Sequence, residues 1–235
     1  MILESPGAGP KEDWTLKPRT IVVGDIHGCY DELLRLLERV RLGPGDRVIS
    51  VGDLIVKGEK NREVLDLFST DNRFSAVIGN HDLALLRHWR GEPVRLKEAQ
   101  EKTRRELEAD HERYAAYLDS LPLVIDLGSH LVVHAGVRPG VALEEQSVED
   151  LTELRTLGED RTSREGVAWY EAYEGERTVL FGHWPAPEPR LGPSAIGLDT
   201  GCVYGYNLTA YVIETNEFQS VRARRAYDEP KRRVD

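Results

Sequence analysis

The chain has 235 residues, 40% hydrophobic and 31% charged, a composition that fits one large globular domain. Its formal net charge of −10 argues against a binder of long nucleic acids, which usually present a basic face. No apolar run approaches the roughly 18 residues of a membrane span.

Residues 1–19 hold Pro6, Gly7, Gly9, Pro10 and Pro18 and no apolar core of a signal peptide. They are expected to form a flexible arm. Residues 20–24 (TIVVG) read as a strand, and 31–42 (DELLRLLERVRL) as a helix with apolar spacing near 3.6. Gly43, Pro44 and Gly45 end that helix before a second strand at 47–52; a short helix at 61–68 and a third strand at 73–79 follow. This alternation predicts a layered α/β fold with crossover helices. A helix is expected at 82–90, then a charged helix or helix pair at 97–121. That segment reads as a solvated face with intrahelical ion pairs, and also as a cap that could shape substrate choice.

Beyond Pro122 the pattern turns to strands at 123–128 and 130–136, joined by a hairpin at Gly128 and Ser129. A helix is predicted over 147–158, with Ser147 or Asp150 as N-cap, and further strands over 178–183, 194–201, 208–214 and 217–223. The folded domain is expected to span 20–221. A tail over 222–235, with six basic residues, reads as a solvated end. Cys29 and Cys202 stand outside any C-x-x-C pattern, which favours a reduced, cytoplasmic setting while leaving one disulfide open. The sequence fixes no oligomeric state; a monomer fits it.

The chemistry concentrates in five segments: GDIHG (24–28), GDL (52–54), GNHD (79–82), HAG (134–136) and GHW (182–184). Each follows an apolar strand and leaves it sharply, delivering Asp25, His27, Asp53, Asn80, His134 and His183 to strand ends. Three oxygen and three imidazole donors exceed one tetrahedral shell and suit two hard or borderline divalent ions. Asp25 and His27, at i and i+2 in an extended exit, project to one side. Asp53 can bridge with its two oxygens, and Gly24 and Gly28 allow the tight turn. His88, His111 and His130 fall outside these segments and receive no role. Tyr204 and Tyr206, with Trp184, are weak candidates for stacking a nucleobase.

In this order GDIHGCYDEL, GDL…KG, GNHD, HAG and FGHW resemble the calcineurin-like metallophosphoesterases, within the phosphoprotein-phosphatase superfamily. GHW followed by LDTGCVYGYNLTAY (198–211) is similar to the ApaH-like symmetrical diadenosine tetraphosphatases. The resemblance covers about Thr20 to Glu214 and implies two central mixed β-sheets flanked by helices. It implies one ion on Asp25, His27 and Asp53, and another on Asp53, Asn80, His134 and His183. It also implies in-line attack by a metal-bridging hydroxide, His81 as general acid and Asp82 in support. Manganese is the expected metal, with Co²⁺, Fe²⁺, Ni²⁺, Zn²⁺ or Mg²⁺ suiting the same donors. The implied substrate is a small anionic phosphoester, foremost diadenosine tetraphosphate (Ap4A) cleaved to two ADP, with no membrane or long nucleic-acid partner. Alternatives are a phosphatase of phosphoproteins or nucleic-acid ends, and a metal-binding scaffold without catalysis.

One departure stands out. The superfamily's phosphoprotein phosphatases read GDxVDRG where this chain has GDLIVKG, so Val56 replaces the Asp that partners the catalytic His. Lys57 replaces a phosphate-clamping Arg, keeping the charge but losing the bidentate fork. Arg155 resembles a phosphate-contacting arginine that follows HAG in relatives; Arg161, Arg164 and Arg177 compete for that role.

Overall fold

A computed structural model describes residues 17–229. Most of the expected arm, and the tail from residue 230, lie outside the described residues. Two five-stranded sheets stack face to face. The first has the order β10-β9-β1-β2-β3, with β1 (Thr20–Val23), β2 (Arg47–Ser50), β3 (Phe74–Ala76), β9 (Asn207–Val212) and β10 (Glu217–Arg222). The second has the order β4-β5-β6-β8-β7, with β4 (Val124–Asp126), β5 (His130–Val133), β6 (Thr178–Phe181), β7 (Arg190–Gly192) and β8 (Ala195–Gly197). In each sheet three strands run parallel, β1-β2-β3 and β5-β6-β8. Antiparallel strands complete both sheets, so both are mixed, as expected.

Strand periodicity explains the layering. Val22, Ile49, Val132 and Leu180 point into the layer between the sheets. Their neighbours Ile21, Val23 and Val48 face an outer core beneath α1 (Tyr30–Arg39), α2 (Asn61–Thr70) and α3 (Asn80–Trp89). Leu131, Val133, Val179 and Phe181 face the opposite outer core around Trp169. Because successive strand residues alternate faces, these near-continuous β-branched runs are what a doubly covered sheet requires.

Residues 97–121 form the helix pair α4 (Glu98–Leu107) and α5 (His111–Asp119), joined by a 3-10 turn. Gln100, Thr103, Leu107, Tyr114 and Leu118 are buried, so one stripe packs inward while the rest carries ion pairs such as Arg104 with Glu101. The helix predicted over 147–158 is shorter: α6 is Val148–Glu153, capped by Ser147, whose Oγ accepts the Asp150 N–H at 3.0 Å. Leu154 turns to extended backbone, and the Arg155 N–H donates to the Arg161 carbonyl instead of continuing the helix. A four-residue helix, α7 (Trp169–Ala172), and β7 escape the sequence reading.

Part of the expected tail packs on the domain, while Arg222, Arg224 and Arg225 are exposed. Residues 223–229 fold back on the domain: the Tyr227 N–H donates to Val203, and its hydroxyl to the buried Glu32 at 3.0 Å. No helix among the described residues is long and apolar enough to cross a membrane.

Candidate metal centre

The six candidate ligands come from the C-terminal ends of the parallel strands. Asp25 and His27 follow β1, Asp53 follows β2, Asn80 opens α3 after β3, His134 follows β5 and His183 follows β6. The exits are strained: His27, Asp53 and His183 take φ of 49°, 50° and 68°. Left-handed backbone is uncommon for non-glycine residues and persists where the surroundings impose it. Two glycines permit the close approach. A Cβ at Gly79 would lie 2.2 Å from Asp53 Oδ1, and one at Gly182 would lie 2.0 Å from Asp25 Oδ1.

Hydrogen bonds then orient the donors. The His27 Nδ1–H donates to the Ile55 carbonyl at 3.1 Å, and the His134 Nδ1–H to the Val51 carbonyl at 2.9 Å. That pattern of backbone support fixes the tautomer of metal-binding imidazoles, leaving Nε2 with a free lone pair. Both Nε2 atoms lie 3.5 Å from Asp53 Oδ2. Asn80 Oδ1 lies 3.0 Å from His134 Nε2 and from His183 Nδ1. The Asp25 carboxylate accepts the His183 N–H at 3.1 Å, which ties the first exit to the last.

Electrostatics point the same way. Burial, with Lys57 beside it, pushes His27 down to about 3. Burial likewise lowers His134 and His183, so all three imidazoles are neutral. Burial and the neighbouring Asp199 and Asp53 push Asp25 well above the usual carboxylate range. Asp53 is buried, yet positive charge around it, that of Lys57 included, holds it below that range. The Nε2 lone pairs of two neutral imidazoles face the Asp53 carboxylate with no proton between them. A cation between them removes the conflict, and neutral His and ionised Asp are the forms that bind metal. The donor atoms of His27, Asp53 and His81 lie within 4.8 Å of one another, as do those of Asp25, Asp53 and His134, close enough in each case to hold an ion. Asp53 is common to both.

His81 lines the cleft beside these groups, edge-on to His27 with ring centroids 5.2 Å apart. Its backbone N–H donates to Asp53 Oδ1 at 2.9 Å. Its ring Nδ1 is buried without a hydrogen-bond partner, the counterpart of Val56, whose side chain is packed in the outer core. Asp82 differs from expectation. Its carboxylate accepts N–H groups from Gly79, Leu54 and Ile55 at 3.1–3.3 Å and does not line the cleft. Burial and nearby Asp53 push it up to about 8. It holds the Asp53 loop to the start of α3 and touches no reacting group.

Lys57 is deeply placed: its ammonium donates to His27 Nε2 at 2.8 Å and lies 5.3 Å above the Tyr204 ring. Arg155 lines the cleft and is largely buried; its Nη1 donates to the Thr162 carbonyl and its Nε has no partner. Of its competitors, Arg164 also lines the cleft, Arg161 is bound to Asp150 and Arg177 to Asp126. Tyr204 borders the cleft, but Trp184 lies in the second core under the Arg190 guanidinium and Tyr206 packs near Gly201. The trio therefore forms no shared stacking site.

Asp199 and Lys97 are among the cleft residues that the sequence reading did not single out. Asp199 follows β8 and accepts the Gly201 N–H; burial pushes it up to about 6. Its segment, AIGLDTG, follows the same strand-exit grammar and could have been found by it. Lys97, preceding α4, offers no such signal. The whole cleft has a volume of about 1240 Å³.

With two stacked mixed sheets and an Asp/His/Asn cluster at their strand ends, the chain belongs to the calcineurin-like phosphoesterases, whose family model matches residues 18–220. It is a hydrolase of phosphoester or phosphoanhydride bonds. Its relatives include bis(5'-nucleosyl)-tetraphosphatase PrpE [asymmetrical] of Bacillus velezensis, 30% identical, covering 91% of this chain and 96% of that protein. A symmetrical bis(5'-nucleosyl)-tetraphosphatase of Vibrio parahaemolyticus is also 30% identical, covering 81% of this chain and 93% of that one. A crystal structure described as a candidate diadenosine tetraphosphatase superposes with TM-score 0.72 at 31% identity, over 89% of this chain and 95% of that one. A protein serine/threonine phosphatase from Saccharomyces cerevisiae shares the fold alone, with TM-score 0.62 at 17% identity over 93% and 83% of the two chains.

Proposed function

We propose that this chain is a two-metal bis(5'-nucleosyl)-tetraphosphatase that cleaves Ap4A symmetrically into two ADP. One ion would be held by Asp25, His27 and Asp53, the other by Asp53, Asn80, His134 and His183. The observation that carries this is the convergence of unprotonated His27 and His134 Nε2 on one Asp53 oxygen, 3.5 Å from each. Mixed oxygen and nitrogen donors suit Mn²⁺ first, with Co²⁺, Fe²⁺, Ni²⁺, Zn²⁺ and Mg²⁺ compatible. Bound there, two divalent ions supply Lewis-acid activation of water and of the phosphoryl group.

The protein's own groups do the rest. Lys57 now donates to His27 Nε2; with that nitrogen turned to an ion, its ammonium would be the group that meets phosphoryl oxygens. Arg155, with an unpartnered buried Nε, brings a second cation to the His134 and His183 side. With substrate bound, His81 takes a proton from solvent, passes it to the leaving oxygen and returns to the neutral ring. Burial, Lys57 and Lys97 keep it neutral in the free protein, and a polyanionic substrate offsets those cations. Cations at both ends of the centre favour a scissile bond in the middle of a phosphate chain. The phosphoprotein reading lacks such support, because nothing replaces the Asp at Val56 and His81 Nδ1 stays unpartnered.

Incubating the Mn²⁺ or Co²⁺ form with Ap4A and separating the nucleotides tests this. ADP as the main product agrees with the proposal. ATP plus AMP rejects symmetrical cleavage, and no turnover rejects the substrate. We place the protein in the cytoplasm, in keeping with its two buried free thiols, Cys29 and Cys202.

A further inference from the structure

We propose that Cys29, Cys202 and Glu32 form a further metal site, apart from the strand-end cluster, that takes one thiophilic divalent ion such as Zn²⁺. The two sulfurs and a Glu32 carboxylate oxygen all lie within 4.8 Å of one another, and all three residues are buried. They come from separate parts of the fold. Cys29 is the N-cap of α1, two residues after His27, and Glu32 lies in the first turn of that helix. Cys202 lies in the turn between β8 and β9. A tetrahedral Zn²⁺ sits about 2.3 Å from each sulfur and keeps its donors roughly 3.5–4 Å apart, so closing the site asks for at most about 1 Å of adjustment.

Hydrogen bonds hold Glu32 in a binding posture. Its Oε1 accepts the Arg224 N–H at 3.0 Å, the Tyr227 hydroxyl at 3.0 Å and the Arg35 guanidinium at 3.1 Å. Its Oε2, among the described residues, has only the longer 3.2 Å contact from the same hydroxyl, which leaves lone pairs for an ion. Ligating carboxylates are oriented in this way. A surface cavity of about 250 Å³, lined by Cys29, Glu32 and Tyr227, gives an ion and a coordinating water a way in. The surroundings also favour a cation over oxidation. The hydrogen bond with Cys29, burial and the Glu32 carboxylate hold the Cys202 thiol well above its usual range. Such a thiol is a poor nucleophile, whereas a divalent ion displaces both thiol protons to solvent and forms two thiolate bonds. Sulfur donors select Zn²⁺ over Mn²⁺ or Mg²⁺. Bound there, the ion would tie the start of α1 to the turn that carries Tyr204.

Cd²⁺ is the probe, because its bonds to thiolates absorb in the ultraviolet and its bonds to carboxylate or imidazole do not. Reduced full-length protein, already loaded with Mn²⁺, is titrated with Cd²⁺, a readout independent of any enzymatic activity. The thiolate band should rise to a plateau at one Cd²⁺ per chain. Cys29→Ser and Cys202→Ser, each checked for folding by circular dichroism, should weaken Cd²⁺ binding by about a hundredfold or more, and Glu32→Gln by about tenfold or more. X-ray absorption on the wild-type Cd²⁺ form needs no variant and should count two sulfurs per ion. Asp53→Asn should keep the band, which separates this site from the strand-end cluster. No band, a band that survives loss of either cysteine, one sulfur per ion, unchanged affinity in Glu32→Gln, or loss of the band in Asp53→Asn would each overturn the proposal.

Discussion

Asp53 Oδ2 lies 3.5 Å from His27 Nε2 and 3.5 Å from His134 Nε2, although the two histidines leave different sheets. Neither separation is a good hydrogen bond, since each neutral ring carries its one proton on Nδ1 and spends it on a backbone carbonyl, leaving Nε2 unprotonated. One carboxylate thus stands between two sets of donors. Asp53→Asn should remove turnover by more than about a hundredfold, beyond the loss typical of an outer-shell partner, and lower the metal content. Kinetics with elemental analysis checks this; near-normal rates would show that the bridge is unnecessary.

His81 adjoins the donors, and the proposed mechanism makes it the proton donor rather than a ligand. His81→Ala should keep its metal while kcat falls by roughly 10²–10⁴, least for substrates with good leaving groups. If the purified variant instead loses its metal, His81 is a ligand.

Asp82 anchors the strained turn that presents Asp53. Asp82→Ala leaves three buried N–H groups without their acceptor and should destabilise the protein by about 2–4 kcal/mol. Urea unfolding with chelator present reads this. A variant as stable as wild type but catalytically dead would return Asp82 to the reaction.

Asp46 tests the electrostatics away from the site. Burial alone would raise its pKa, but the Arg19 guanidinium and the N–H groups of Gly43 and Arg19 hold it below the usual value. A carboxylate with a depressed folded pKa contributes stability above its ordinary value of about 3.9, and loses it as pH falls through the folded value. Asp46→Asn should therefore cost about 1–3 kcal/mol near neutral pH, with the gap to wild type closing in strong acid. A gap independent of pH would contradict the assignment.

The convergence of the six candidate residues was legible because each sits at an abrupt strand exit, and strand exits are written locally in apolar runs ending at Gly, Asp or His. The layering was legible for a similar reason, since Ile21 and Val22 must face different cores. Asp199, in LDTG, uses the same grammar and was legible by it. What Asp82 does depends on N–H groups as far as 28 residues away, which no local pattern records. Helix α7 and strand β7 are too short to show a period. They exist because Trp169 and its neighbours cover the second sheet. The missing partner of His81 was legible in Val56, yet only the fold shows that nothing has taken its place.

The most direct measurement is an anomalous difference map from crystals soaked in Mn²⁺. The account predicts two peaks roughly 3.5–4 Å apart, one against Asp25 and His27, the other against Asn80, His134 and His183, with Asp53 between them. A lone peak, or density bound elsewhere, would contradict it.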